Sequence, residues 1–165
     1  MTAAAHPPSG LSKATWTDAD FQFMGWHDCR IRALGVTKYD DDTVPPTRLL
    51  LDLDYIVRWV DPVPPEKHFT FWIAPATLVF EQAWDITGHL GPLHEPLGID
   101  DVHRLASPDD HAYPAWHHIQ GQNFDIRLRA HGYRQYLRTP PHHVSRQVLT
   151  MAQRNGINFG EQSFV

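Results

Sequence analysis

Between Arg48 and Val60 the chain alternates at period two. Leu49, Leu51, Leu53, Tyr55, Val57 and Trp59 fall on one face; Leu50, Asp52, Asp54, Ile56, Arg58 and Val60 fall on the other. Successive side chains of a strand point to opposite sheet faces, so this pattern predicts a strand over 48–60. Its odd-numbered face lies in the core, and its mixed even-numbered face is partly covered. Weaker signals of the same kind recur. Residues 28–39 predict a first strand, with a phase slip beside Gly35 that suggests a bulge. Residues 68–74 predict another, with Phe69, Phe71 and Ile73 inward. Pro75 interrupts it, and Thr77 to Ile86 resumes with Leu78, Phe80, Trp84 and Ile86 in phase. Residues 88–96 read as a loop, 97–105 as a weaker strand and 107–114 as a second loop. Residues 116–121 and 123–130 form a hairpin with Phe124, Ile126 and Leu128 inward and Asp125, Arg127 and Arg129 outward. Tyr133 to Arg138 extends the edge of the sheet.

The period changes near the C-terminus. Val144, Val148, Met151 and Ala152 recur at helical spacing, Pro140-Pro141 suits a first turn, and Asn155-Gly156 is a stop signal. Residues 157–165 are a tail that packs or pairs. At the other end, Thr15 to Met24 reads as an ordered loop or short helical turn carrying Trp16, Phe21, Phe23 and Met24, and residues 1–14 as a flexible tail. The predicted fold is mainly β (β-rich α+β): an antiparallel meander forming a sandwich or roll, with one short C-terminal helix. Residues 15–165 form a single domain. No strand precedes a long amphipathic helix, which excludes a doubly wound parallel sheet.

Composition narrows the class. The 165 residues carry 14 Pro and 10 Gly, too few for low complexity. The longest nearly apolar run, Phe69 to Phe80, is 12 residues, against the ~20 that a spanning helix needs, so no membrane partner is expected. The N-terminus lacks the basic start and apolar core of a secretory signal. Cys29 is the only cysteine, which excludes an internal disulfide and suits the cytoplasm. The net charge of −5 argues against a general nucleic-acid binder. Charge is uneven: residues 121–165 hold six Arg against Asp125 and Glu161, a net of +4, which leaves −9 on residues 1–120. Acidic strands lying beside basic segments explain this, and an anionic ligand is the sharper alternative.

Few residues suggest chemistry. His27-Asp28 resembles the paired ligands of metal phosphohydrolases, but it opens a strand where those ligands sit on helices. A hydrogen-bonded corner at the start of the strand is the plainer reading. His27, Asp28 and a distant histidine such as His117 are the weak metal candidates. Asp52 and Asp54, at i and i+2, could seat a cation, or pair across strands with Arg127 and Arg129. His117-His118 and His142-His143 point their members to opposite faces while extended, so neither is a clamp. Cys29 reads as a small buried side chain. No phosphate loop, dinucleotide fingerprint or nucleophile elbow is present, so no cofactor and no catalytic residue is expected.

Met24-Gly25-Trp26-His27-Asp28, the following LDLDYIVRW strand and Phe71-Trp72-Ile73-Ala74-Pro75-Ala76-Thr77-Leu78-Val79-Phe80 resemble, in that order, a group of small uncharacterised bacterial β-rich proteins. The resemblance covers residues 21 to 138. It implies a β-rich fold and brings no activity or site residue. More loosely, an early His-Asp followed by β meanders is similar to toxin-immunity proteins. The expected function is a non-catalytic binding or protein-interaction domain, immunity-like in form, with a protein partner or a homodimer. The part-apolar even face of 48–60 would supply the homodimer surface. The alternative is a metal-dependent hydrolase using His27, Asp28 and a distant His. The lack of legible catalytic machinery points away from an enzyme.

Overall fold

The computed structural model describes residues 8–38, 47–105 and 115–165. Its frame is β1 (Thr15–Thr17), β2 (Arg30–Lys38), β3 (Thr47–Val60), β4 (Thr70–Glu81), β5 (Trp84–Leu90), β6 (Leu97–Leu105), β7 (Trp116–Gly121), β8 (Phe124–Arg129), β9 (Gly132–Leu137) and β10 (His142–Val144). A 3₁₀ turn spans Asp18–Phe23, and one helical turn, α1, spans Met151–Arg154. The strands run antiparallel in the order β1-β9-β4-β3-β2-β6-β7-β8-β5, with β10 beside β4. The fold is mainly β, as the alternation predicts. No helix among the described residues is long and apolar enough to cross a membrane.

The sheet bends where β2 meets β6, because only Arg30↔Gly98 and Ile31↔Leu97 join them. One half is β1-β9-β4-β3-β2 and the other β6-β7-β8-β5. They close on a shared core without forming a closed barrel. Leu49, Leu51, Leu53 and Tyr55 of β3 are buried with Ile119 of β7 and Phe124, Ile126 and Leu128 of β8. Phe80 of β4 meets His117 of β7 at 5.2 Å between ring centroids. The odd face of β3 is therefore the core face, up to Tyr55.

Beyond Tyr55 the pattern fails, because the register with β4 shifts between Ile56 and Arg58. The extra residue re-aims the strand end, and Trp59, read as core, is 39% exposed. Phe69, read as inward, precedes β4 and is exposed too. The bulge expected beside Gly35 instead lies between Ile31 and Ala33. Pro75 does not interrupt β4. Its carbonyl accepts from Arg138 N–H at 3.0 Å, so its polar edge faces the gap between β9, which ends at Leu137, and β10, which starts at His142. No ladder donor is needed there. The chain breaks instead at Gln82, at φ 47, and β5 then runs to Leu90, into the expected loop. Strand β9 is not an edge, since β1 covers it.

The C-terminal helix is one turn. Pro140 and Pro141 lead into β10, whose His142, His143 and Val144 pair with Ile73, Trp72 and Phe71. Helix starts only where Thr150 accepts from Gln153 N–H and Gln153 returns the bond in a capping box. The stop at Asn155, φ 57, and Gly156, φ 78, is as expected. Part of the N-terminal tail is docked: Ala14 is buried and accepts from Leu137 N–H, and the Pro8 carbonyl accepts from Arg58. Residues 1–7, the last residue of the strand expected over 28–39 and the loop expected over 107–114 lie outside the described residues.

Candidate functional site

His27 and Asp28 sit at the corner that fixes the seam between β2 and β6. Cys29 N–H closes on the Trp26 carbonyl, Asp28 N–H donates to Ile99, and Ile99 N–H donates back to Cys29. Asp28 takes φ 63, a conformation that a short polar side chain tolerates better than most. Its carboxylate accepts from Gln147 at 3.0 Å. His27 Nδ1 lies 3.0 Å from the Asp100 carbonyl, which can only accept, so Nδ1 carries the proton. That bond, with nearby Asp28, Asp100 and Asp101, raises the affinity of His27 for a second proton despite partial desolvation. The ring stacks on Trp59, 6.4 Å away and 18° from parallel, and Trp59 meets Phe69 and Phe71 edge-on. Trp59 and Phe69 form an exposed aromatic pair beside His27 and its acidic neighbours.

His117 is not part of this group. It points inward from β7, 1% exposed, against Phe80. Among the described residues neither ring nitrogen has a hydrogen-bond partner. Burial pushes its pKa below the ordinary histidine value. Among the described residues no three His, Cys, Asp or Glu side chains are grouped to hold a metal ion. Cys29 is buried and accepts from Ile56 N–H, and burial pushes its thiol up to about 12, so it is no nucleophile at neutral pH.

Asp52 and Asp54 do not pair with Arg127 and Arg129. Strand β8 belongs to the other half of the sheet and turns those arginines outward, toward Asp125 and Asp85. Both aspartates are fully buried under the C-terminal segment. Arg154 binds Asp52 at 2.7 and 2.9 Å and Asp54 at 2.9 Å; Arg138 adds 2.7 Å to Asp52. Leu149 N–H and Asn158 N–H complete the set, and Glu161 holds Arg48. Acidic strand beside basic segment is thus how the charge asymmetry is met. The even face of β3, offered above as a homodimer surface, is occupied by the chain's own residues 149–158.

Cross-strand register brings a second set of side chains together on the outer face of β5–β8. Thr87 faces Arg127, Arg127 faces His118, and His118 faces His103. In the next row Trp84 faces Arg129, Arg129 faces Trp116, and Trp116 faces Leu105. A cleft of about 380 Å³ opens here, lined by Thr87, Leu105, Trp116, His117, His118 and Arg127. His118 Nε2 is 2.5 Å from Asp125 Oδ2, and this bond holds the Asp125 carboxyl below its usual range. The Arg129 guanidinium lies 4.5 Å over the Trp116 ring. The outward phase of Arg127 and Arg129 was legible from the hairpin. Their neighbours from β5 and β6 were not, because they depend on pairings distant in sequence. Comparison with known proteins gives no match to any family model, curated protein or solved structure.

Proposed function

We propose that this protein is a non-catalytic protein-interaction domain that uses the aromatic pair of Trp59 and Phe69 beside His27. The observation that carries the reading is this exposed aromatic pair, 39% open at Trp59 and 44% at Phe69. Large apolar side chains in one exposed patch are what interface anchors are made of. The carboxylates around His27 give the patch an acidic rim, which fits a partner with a basic rim around an apolar centre. A toxin domain is the form of partner that the immunity-protein resemblance implies, and a lone reduced thiol suits the cytoplasm. The hydrolase alternative draws no support from the corner itself. His27 is committed to a backbone carbonyl, Asp28 to Gln147, and His117 lies in the core.

The test is capture from a lysate of the source cell with wild-type and Trp59→Ser/Phe69→Ser baits of equal melting temperature. One stoichiometric partner, retained by wild type and lost by the double variant, supports the reading. Identical partner sets, no stoichiometric partner, or phosphoester turnover that His27→Ala abolishes would overturn it.

A further inference from the structure

We infer that the outer-face cleft of β5–β8 binds a small ligand made of a flat apolar ring bearing a carboxylate or phosphate. The site shares no residue with the Trp59 patch and does not depend on it. The anionic requirement comes from Arg127. Its side chain is 60% exposed at the cleft, and its one ion pair among the described residues is a 3.4 Å contact from Nε to Asp125. Asp125 gives its other oxygen to His118 at 2.5 Å. The two Nη nitrogens of Arg127 meet no acceptor among the described residues, which leaves the planar fork open for two parallel bonds to an oxyanion.

The apolar requirement comes from the next row. Trp116 and Leu105 wall the cleft, and Leu105 is 57% exposed. An unshielded leucine beside a tryptophan offers a flat apolar ligand area to bury. Trp116 is pre-set, because the Arg129 guanidinium 4.5 Å above its ring holds its plane. The Thr87 hydroxyl and the His118 ring supply polar edges from β5 and β7. A cleft of about 380 Å³ falls at the small end of ligand pockets. The framework is rigid where the ligand would sit, since all six lining residues lie on paired strands. Gly88, next to Thr87, is at φ 135, and a Cβ there would fall 1.9 Å from the Asp125 carbonyl oxygen. Only glycine lets β5 approach β8 closely enough to close this side of the cleft.

The probes are 2-naphthoate and phenyl phosphate, with acetate and inorganic phosphate as anions without a ring and naphthalene-2-methanol as a ring without an anion. Binding is read by titration calorimetry and by the Trp116 indole N–H shift in NMR. At least one ring-bearing anion is expected to saturate the protein at or below millimolar concentration, about tenfold tighter than its matching fragments. Naphthoate against phenyl phosphate then distinguishes carboxylate from phosphate. Arg127→Gln should weaken that probe about tenfold with an unchanged melting temperature, and Leu105→Asp should weaken naphthalene-2-methanol as well. Absence of saturable binding by both ring-bearing anions, equal affinity for inorganic phosphate alone, or wild-type affinity in Arg127→Gln would each overturn the inference. Loss of binding in the Trp59→Ser/Phe69→Ser variant would also overturn it, by placing the site at the other patch.

Discussion

Replacing Arg154 tests the most demanding feature of the fold, a guanidinium with no exposed surface joined to two carboxylates with none. Arg154→Met keeps much of the volume and removes the charge. Asp52 then retains Arg138 and the Asn158 N–H; Asp54 retains the Leu149 N–H and a longer 3.5 Å contact with Arg32. Removing one partner of a buried pair leaves an uncompensated charge and costs about 3–5 kcal/mol. At roughly 2–4 °C per kcal/mol for a chain of this size, the melting temperature should fall by about 10 °C in circular dichroism at neutral pH. Asp54→Asn in the same background removes the charge left over, and should couple favourably by roughly 1–3 kcal/mol. Acid sensitivity should change too. Burial alone would raise the Asp52 carboxyl, but the hydrogen bonds from Arg154 and Arg138 outweigh it and hold the group below its usual value. A depressed folded-state pKa gives stability that is present above the unfolded value, about 3.9, and lost as pH falls through the folded one. Without Arg154 this contribution shrinks, so the gap in melting temperature between variant and wild type should narrow as pH falls below about 4. An Arg154→Met protein melting within about 2 °C of wild type would refute the account of this cluster.

Two further outcomes are expected. Leu51→Asp places a carboxylate at a position with no exposed surface on the core face of β3, without a cation partner, and should unfold or aggregate the protein; a soluble variant with wild-type melting would overturn the strand phase. His117→Leu should raise thermal stability and flatten its decline between about pH 7 and 5.5, because buried neutral His117, facing Phe80, Asp18 and Arg104, takes up a proton more readily unfolded, and this penalty grows as pH falls through ~6.5; parallel pH profiles for variant and wild type would refute it.

The strands with one covered and one wetter face were legible in advance. The β7–β8 hairpin and the core face of β3 appear at their predicted phase, because burial on one side forces period two. The misses share a cause. Trp59 left the core through a bulge that no local residue announces, since Val57 is as good a strand former as any other. The short C-terminal helix is present but starts only at Met151, because Val144 and Val148 fit helical spacing equally well when one of them sits on a strand and the other in an irregular crossing. Pro75 was misread because its tolerance depends on where two other strands end.

The candidate sites show the same division more sharply. Opposite phases of His117 and His118 were fixed by the hairpin, so one lies in the core and the other on the outer face. Which side chains surround His118 depends on β5 and β6, joined to β8 and β7 by register alone. The aspartates of β3 are a harder case. An Asp at i and i+2 on a mixed face reads as solvent-facing, since a charge is normally kept wet. Here the face is dry because a segment about 100 residues later crosses it, bringing Arg154 with it. The alternation of Leu50, Asp52, Asp54 and Ile56 is then a requirement for a cover that carries cations. The +4 balance of residues 121–165 was the trace of that cover in the sequence, and its Arg138 and Arg154 are the part of the excess that these carboxylates absorb.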